Sequence, residues 1–349
     1  MPTKKFFERY THERNYGCRI REYIYHGLKT LTLENELLKV SLLVDKGTDI
    51  FEFLYKPLDL DVLWHSFNGI KSPAAFTATK QHPSGPFLDF YEGGWQELFP
   101  NIGADCVYKG APLGTHGEVC LVPWDFTVVK NEPEEISVRF RVRTNRSPYL
   151  LEKTLTLKSE VPTLYIDEKV VNVGSEELQF MWGHHPAFGP LFLDSSCRIE
   201  TPANCKARTV DLDLGRNAVL PRDTEFDWPL IKGLDQELWD VSSVPPPDSS
   251  IFLMFYLYDL SEGWYALTNR DRGISFRLKW DKEIFPIIWV WAPYGGAEGY
   301  PWYGRNYNLA IEPWSAVPSN LAQVAQENRG IKIAPGQEIR TKLEAGISV

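Results

Sequence analysis

Two short segments carry the side chains best suited to moving protons, a histidine pair in the middle of the chain and a glutamate near its C-terminal end. Residues 182–189 contain His184 and His185 and come directly after a predicted strand. Residues 309–314 place Glu312 at the end of an apolar run. An imidazole and a partly desolvated carboxylate both titrate near neutral pH, so these groups could serve as a general acid and a general base.

Each of these residues also has a purely structural interpretation. Adjacent strand residues point to opposite faces, so only one of His184 and His185 would face a given cleft. The other would be a buried histidine with a hydrogen-bonded ring. Glu312 could equally be a strand-terminal glutamate paired with the nearby Arg305. The residues themselves leave both interpretations open.

A third candidate region combines glycines with polar side chains. It comprises residues 94–103 and 114–118, and it includes Asn101, His116 and Glu118. Glycines that bracket polar side chains are typical of places where the backbone approaches a ligand closely, although a set of ordinary turns would have the same composition.

Other chemistries have weaker support in the sequence. There is no GxSxG, Walker, GxGxxG or HExxH motif, which argues against the sites that depend on them. A glycosidase needs a pair of carboxylates, and Glu97, Asp105, Glu118 and Glu312 could supply one, but no spacing singles out a pair. His116 and Glu118, with one of the mid-chain histidines, could ligate a metal ion, so a metal-dependent sugar isomerase stays an alternative.

The elements that must position these residues are predicted to be β-strands. Residues 136–143 alternate apolar and polar side chains without a break, and turn signals recur at short, fairly even intervals as in an antiparallel meander. Helical periodicity is scarce, with a turn or two predicted within residues 319–328. Long irregular segments, rich in Trp, Tyr and Gly, are predicted at 64–115, 200–250 and 293–308.

Composition restricts the class of protein. The 349 residues are 43% hydrophobic and 24% charged, as in ordinary globular proteins. The net charge is −9 and no Lys/Arg block of five or more occurs, which argues against a nucleic-acid partner. The five cysteines form no CxxC pair, and there is neither an apolar N-terminal segment nor a run of 18 apolar residues. We therefore expect a cytoplasmic protein with reduced thiols and no membrane partner.

Aromatic residues are unusually frequent, at 13% with 12 tryptophans, and four of them fall near the C-terminal end: Trp289, Trp291, Trp302 and Trp314. Such residues either fill a wide β-sheet core or line a cleft in which flat rings stack on the C–H faces of a sugar. Composition alone does not decide between these two roles.

Taken together, four motifs resemble the aldose 1-epimerase (galactose mutarotase-like) family, especially its divergent bacterial members. In chain order they lie at residues 99–103, 116–118, 185–188 and 311–314. The family has, in the same order, a Phe-Pro-x-x-Gly segment, a His-Gly followed by a Trp, a mid-chain His-x-x-Phe and a Glu near the C-terminal end. The resemblance extends over about residues 40–345.

This resemblance implies a fold, an activity and residue roles. The fold would be an all-β β-supersandwich of large antiparallel sheets, in a single domain covering residues 1–349. The activity would be that of an isomerase interconverting the anomers of a reducing aldose or a derivative, with a small carbohydrate as substrate and no metal or other cofactor. His185 would be the general acid and Glu312 the general base, while His116 would orient the substrate and Trp291 would lie near the sugar.

Asn101, Glu118, His184 and Arg305 complete the set of candidate substrate contacts. Many family members carry an arginine shortly after the Phe-Pro-x-x-Gly segment, where this chain has residues 104–106, Ala-Asp-Cys; Arg305 is the candidate replacement. Because fold does not settle function, a non-catalytic carbohydrate-binding or sensing protein is the alternative from another class. The sequence names neither the sugar nor the oligomeric state.

Overall fold

Antiparallel strands are the predominant regular structure of the computed structural model, which describes residues 14–75, 85–317 and 320–349. The prediction of an all-β fold is confirmed. The strands, numbered in chain order, are β1 (Arg19–Tyr25), β2 (Leu28–Glu34), β3 (Leu38–Leu43), β4 (Asp49–Tyr55), β5 (Leu60–Asp61), β6 (Trp95–Leu98), β7 (Cys106–Tyr108), β8 (Ala111–Leu113), β9 (Asp125–Asn131), β10 (Glu135–Arg143), β11 (Tyr149–Lys158), β12 (Thr163–Asn172), β13 (Leu178–Phe180), β14 (Gly183–Phe188), β15 (Cys197–Glu200), β16 (Lys206–Thr209), β17 (Glu225–Asp227), β18 (Leu230–Lys232), β19 (Leu238–Asp240), β20 (Leu253–Tyr258), β21 (Trp264–Asn269), β22 (Ile274–Trp280), β23 (Ile287–Ala292), β24 (Leu309–Trp314), β25 (Ile331–Ile333) and β26 (Glu338–Ser348).

Helical structure is confined to short pieces in the described residues. The α-helices are α1 (Phe87–Phe90) and α2 (Leu321–Gln326), and single 3₁₀ turns occur at Lys56–Leu58, Pro73–Ala75 and Val119–Leu121. Helix α2 lies within the segment predicted to be helical, and the Asn320 side chain caps it by accepting a hydrogen bond from the Gln323 N–H. Residue 319 of that prediction lies outside the described residues. No helix in the described part of the chain is long and apolar enough to span a membrane.

Two large sheets form the architecture. The first has 12 strands, in the order β1-β2-β3-β4-β6-β14-β24-β23-β20-β16-β17, with β5 paired to β4. The second has eight, in the order β15-β21-β22-β26-β12-β11-β10-β9. Neighbouring strands in both sheets are antiparallel. This arrangement of large antiparallel sheets confirms the predicted fold class.

The main hydrophobic core contains the inward residues of both sheets. Period-2 alternation sends Leu155 and Leu157 of β11 to this core, together with Val290 of β23 and Ile311 of β24. Each large apolar side chain buried in this way stabilises the fold by about 1.5–3 kcal/mol relative to an exposed one.

The opposite face of the 12-stranded sheet carries a second aromatic cluster. Trp289 and Trp291 alternate with Val290 along β23, and so they point away from the main core and pack with Trp314 of β24. This outer face, covered by the segments between the strands, is where the candidate site lies.

Of the three segments predicted to be irregular, one contains no strand and two contain short strands. No strand interrupts 293–308, whereas β16 to β19 occupy parts of 200–250, and β6 to β8 occupy parts of 64–115. These strands are only three or four residues long, too short to show periodicity in the sequence. Residues 76–84 of the first segment lie outside the described residues.

Candidate active site

A cavity of about 410 Å³ opens on the outer face of the 12-stranded sheet. This size is within the range usual for small-molecule sites. The lining is rich in aromatic rings and has few titratable groups; it consists of Phe87, Leu88, Tyr91, Gly103, Ala104, Thr115, His116, His185, Val210, Asp211, Leu212, Met254, Trp289, Trp291, Trp302, Glu312 and Trp314. Of the predicted site residues, the cavity brings together His116, His185, Trp291 and Glu312.

Strand register places His185 beside Glu312. β14 and β24 are antiparallel neighbours, and Gly183 lies opposite Trp314. Two residues further along β14 and two back along β24, His185 and Glu312 therefore lie opposite each other and point to the same face. The His185 Nε2 atom is 3.4 Å from Glu312 Oε1, so one oxygen atom of a ligand could contact both groups.

Both members of this pair are almost fully removed from water. Burial raises the pKa of the Glu312 carboxyl well above its usual range, and the hydrogen bond from Trp314 Nε1 to Oε2, 2.9 Å long, opposes this rise. Burial, together with the neighbouring His116, lowers the pKa of the His185 imidazole well below its usual range. The other carboxylate oxygen, Oε1, accepts no hydrogen bond from the described residues. The pair thus consists of a carboxyl group that is a stronger base than usual and an imidazolium that is a stronger acid.

His116 reaches the cavity from a tight turn. It adopts the left-handed conformation, with φ of 62°, and the following Gly117 has φ of +75° and so little space that a Cβ would lie 2.2 Å from the Phe99 carbonyl oxygen. This close approach requires glycine and explains the His-Gly pattern. The imidazole Nδ1 lies 2.7 Å from the carbonyl oxygen of Ile102, to which it donates, and burial lowers its pKa to about 4. His116 is therefore neutral at pH 7, with Nε2 available as an acceptor.

Asn101 supports this turn from outside the cavity lining. Its side-chain Nδ2 donates to the carbonyl oxygens of Ala104 (2.8 Å) and Gly114 (2.9 Å), and its Oδ1 accepts from the Leu321 N–H at 2.9 Å. The amide thus joins both sides of the His116 turn to α2. The structure gives Asn101 a scaffolding position rather than the predicted substrate contact.

His184 points into the space between the two sheets. Its Nε2 lies 3.0 Å from Glu168 Oε2, and its Nδ1 accepts from Trp95 Nε1 at 3.2 Å. The expected alternation along the strand therefore holds, and His185 alone of the two faces the cavity. His184 cannot make the predicted substrate contact from this position.

Two further predicted contacts also lie away from the cavity. The Glu118 carboxylate, directly before the 3₁₀ turn Val119–Leu121, accepts from the backbone N–H groups of Asn145 (2.7 Å) and Arg146 (3.2 Å) in the loop between β10 and β11. The Arg305 guanidinium stacks over the Phe67 ring at 4.9 Å and hydrogen bonds to carbonyl oxygens of its own loop. Neither residue is part of the lining, so Arg305 does not replace the arginine common in aldose 1-epimerases.

The metal-site alternative is not supported by the arrangement of these side chains. Glu118 faces away from His116, and His184 is separated from His185 by the sheet itself. Within the described ranges, no three His, Cys, Asp or Glu side chains are grouped closely enough to hold a metal ion.

Sequence reasoning missed Tyr91, Phe87 and Asp211 as lining residues. Tyr91 places its hydroxyl 3.2 Å from His185 Nδ1, while Phe87 stacks on the Tyr91 ring at 5.0 Å. The sequence contained only a weak indication of these two aromatic residues, namely an aromatic-rich stretch at 87–91 just before two glycines. Asp211 lies at the rim and is paired with Arg222 at 2.9 Å.

A buried ion cluster holds the segment that carries Tyr91. The Lys46 Nζ atom lies 2.5 Å from Asp49 Oδ2 and 2.6 Å from Glu92 Oε2, and all three side chains are inaccessible to solvent. Burial penalises the Lys46 cation, but the two carboxylates outweigh it and its pKa is raised. This cluster attaches the residue after Tyr91 to the turn that begins β4.

Comparison with known proteins identifies a family model and a fold. Residues 25–219 match the model of a family described as a domain of unknown function, DUF4432. A search of curated protein sequences found no match.

Solved structures with similar folds come from several bacteria. A candidate aldose 1-epimerase of Klebsiella pneumoniae has a TM-score of 0.71 and 14% identity, covering 94% of this chain and 83% of that one. A galactose mutarotase related enzyme of Lactobacillus acidophilus has a TM-score of 0.63 and 17% identity, with coverages of 94% and 98%. A galactose mutarotase-like protein of Clostridium acetobutylicum has a TM-score of 0.63 and 16% identity, with coverages of 95% and 99%. At these identities the comparison establishes a shared fold. It therefore confirms, for the fold, the family resemblance that the motifs indicated.

Proposed function

Since this chain belongs to the DUF4432 family and has the galactose mutarotase-like fold, we propose that it interconverts the anomers of a reducing aldose or an aldose derivative. The observation that carries the proposal is the buried His185–Glu312 pair, 3.4 Å apart and facing an aromatic cavity. Neighbours of the same fold are described as mutarotase-like or aldose 1-epimerase proteins. Fold similarity alone would not assign an activity, and the proposal depends on the pair.

In the proposed reaction the two groups act on the two oxygens attached to the anomeric carbon. Glu312 takes the proton of the anomeric hydroxyl while His185 gives a proton to the ring oxygen, and the bond between C1 and the ring oxygen breaks to leave an aldehyde. After rotation about the C1–C2 bond, His185 recovers its proton from the hydroxyl formed at the former ring oxygen, and Glu312 returns one to the carbonyl oxygen. The pair ends each cycle with the single proton it started with.

The remaining lining suits a pyranose or a similar ring. Trp291 and Trp302 form one wall, with ring centroids 5.3 Å apart, and they offer flat surfaces to C–H groups of a sugar. Trp314, also in the lining, stacks on Trp289 at 4.9 Å, which fixes the indole N–H that donates to Glu312. The Nε2 of His116 is a hydrogen-bond acceptor for a substrate hydroxyl.

The pH profile follows from these pKa shifts. The reaction needs one proton on the pair, and burial lowers the pKa of His185 and raises the pKa of Glu312. We expect the acid limb of kcat/KM, corrected for uncatalysed exchange at each pH, to lie below pH ~6.5, where an ordinary histidine titrates. The value of kcat/KM should fall only when the pH drops through the lowered His185 pKa and the pair takes a second proton, or rises through the raised Glu312 pKa and the pair loses its only one. An acid limb at the ordinary histidine pKa would contradict this assignment.

The test is anomer exchange measured by NMR with a panel of neutral, acidic and phosphorylated reducing sugars, with and without chelator. Exchange above the buffer rate for at least one sugar, unchanged by chelator, is the expected result. Sugar binding without acceleration of exchange would instead support the carbohydrate-binding alternative. Activity that chelator removes and a divalent metal restores would support the metal-dependent isomerase.

A further inference from the structure

We propose that the substrate is a 6-deoxyaldose, an uncharged reducing sugar with a methyl group at the position where ordinary hexoses carry a hydroxymethyl group. The inference names the substrate class of the cavity already described. Its kinetic test rests on the proposed function, whereas its binding test does not. The two ends of the cavity differ in chemistry, and this difference carries the proposal.

One end of the cavity holds the hydrogen-bonding groups. His185 of β14 and Glu312 of β24 lie there, 3.4 Å apart, and the ring centroid of His116 is 5.4 Å from that of His185. Thr115 precedes His116 and also belongs to the lining. We call these four residues the polar end. They can serve the anomeric hydroxyl, the ring oxygen and the hydroxyl next to the anomeric carbon.

The other end of the cavity is aliphatic. It consists of Val210, Leu212 and Met254, which we call the apolar end. Met254 of β20 lies opposite Trp291 in the strand register. The Val210 N–H, directly after β16, donates to the Met254 carbonyl oxygen at 3.3 Å. The apolar end is therefore attached to β20 and β16, and not to the strands that carry the reacting pair.

Strand order separates the two ends. The strands follow one another across the sheet as β14, β24, β23, β20 and β16. Neighbouring strands are ~4.8 Å apart, so β20 lies roughly 10 Å from β24, and Trp291 of β23 stands between them. A pyranose with its C1 atom at the pair and one face on Trp291 directs its remote carbons toward the apolar end. Since C6 is the carbon farthest from C1, we expect the C6 substituent to meet Val210 and Met254.

The apolar end cannot satisfy a hydroxyl group. Valine and leucine side chains have no hydrogen-bonding atom, and the thioether of methionine is only a weak acceptor. Two polar groups elsewhere in the lining already have partners: the Tyr91 hydroxyl lies 3.2 Å from His185 Nδ1, and the Asp211 carboxylate is paired with Arg222 at 2.9 Å. A hydroxyl buried without a partner loses its hydrogen bonds to water, whereas a methyl group there is stabilised by leaving water.

The charge of the lining argues against an anionic sugar. Among the described residues that form it there is no lysine or arginine, and it includes the carboxyl groups of Glu312 and Asp211. A phosphate or carboxylate at C6 would therefore enter the cavity without a cation to pair with it. A methyl group at C6 suits both the polarity and the charge of the cavity.

The test compares sugars that differ only at C6: D-fucose with D-galactose, L-rhamnose with L-mannose, and 6-deoxy-D-glucose with D-glucose. Exchange NMR measures kcat/KM for each sugar, and titration followed by tryptophan fluorescence measures Kd, because Trp291 and Trp302 line the cavity. In the pair whose other carbons have the accepted configuration, we expect kcat/KM to be on the order of ten- to a hundredfold higher for the 6-deoxy sugar, with a lower Kd. This is the range by which an apolar pocket discriminates against one added hydroxyl.

The variant Val210→Thr adds a hydroxyl to the apolar end with little change in side-chain shape. We expect it to reduce the preference for the 6-deoxy sugar, measured as the ratio of the two kcat/KM values, by about three- to tenfold, because the hydroxymethyl group gains a hydrogen-bond partner. The matched control is Val241→Thr. Val241 is 3% exposed and Val210 4%, but Val241 packs in the main core. The control should keep the wild-type ratio.

The possible outcomes separate this proposal from the proposed function. If each hydroxymethyl sugar is bound and exchanged as well as its 6-deoxy partner, the substrate class is wrong and the proposed function stands. Equal ratios in Val210→Thr and Val241→Thr would also overturn the role given to the apolar end. If no sugar shows accelerated exchange, the proposed function fails, and the ratio of the Kd values still decides the ligand class. Failure to bind any of the three 6-deoxy sugars would refute it.

Discussion

Replacing Glu312→Gln is expected to slow anomer exchange by a factor on the order of 10²–10⁴, the usual contribution of a general base. The amide has nearly the same shape as the carboxylate, and its oxygen can still accept from Trp314 Nε1, so the cavity should keep its form. The amide cannot take a proton from the anomeric hydroxyl. Sugar binding should therefore change little while kcat falls, and NMR exchange rates over a range of sugar concentrations measure both.

The control for this variant is Glu118→Gln. Glu118 is a carboxylate outside the cavity, held by backbone N–H groups of the loop after β10, and its replacement should leave the exchange rate within about twofold. A double variant, His185→Asn with Glu312→Gln, should be no slower than the slower single variant, because groups that act as a unit lose their effects non-additively. Equal losses in Glu312→Gln and Glu118→Gln would show that the effect is structural and would refute the role given to Glu312.

Replacing Lys46→Met is expected to reduce the free energy of unfolding by about 3–5 kcal/mol, the usual result of removing one partner from a buried ion pair. Methionine fills nearly the same volume, so no large cavity forms. The decrease in the free energy of unfolding therefore measures the cost of leaving two buried carboxylates without their cation. Burial already raises the pKa of the Asp49 carboxyl, and Lys46 is the cation that opposes this rise. The variant can therefore relieve its buried charge by binding a proton. The difference in unfolding free energy between wild type and variant should thus become smaller as the pH falls. Urea unfolding at two pH values measures both effects.

Lys39→Met is the matched substitution at the surface. Lys39 is 37% exposed and pairs with Glu52 at 3.0 Å, and its loss should cost no more than about 1 kcal/mol. If the two lysine variants unfold at the same urea concentration, the buried cluster does not stabilise the fold as described. Since Glu92 follows the lining residue Tyr91, which contacts His185, we also expect Lys46→Met to lower the exchange rate even where the protein remains folded.

The strands were more predictable from the sequence than the site. Faultless alternation at 136–143 predicted β10, because one buried face imposes period 2 on the residues themselves. The same rule predicted that His184 and His185 would point to opposite faces, and the motif resemblance selected His185. The strand pairing that brings β14 beside β24 joins residues far apart in the chain, and only the ordered motifs gave any sign of it.

The remaining site residues were less predictable for physical reasons. Asn101 and Glu118 stand in motifs that do belong to the site region, but a motif fixes backbone position and not the direction of each side chain. Arg305 has the right charge for a sugar contact, yet it stacks on Phe67 and is not part of the cavity lining. Tyr91 contacts His185 through one hydrogen bond set by tertiary packing, which no spacing in the sequence encodes.

The measurement that tests the central claim most directly is two-site exchange NMR on a reducing sugar and its methyl glycoside in the same tube. Ring opening requires the anomeric hydroxyl proton that Glu312 is proposed to take, and the glycoside lacks it. The account predicts accelerated exchange of the free sugar's anomers and a glycoside that is neither anomerised nor cleaved. No acceleration for any reducing sugar, or release of free sugar from the glycoside, would contradict it.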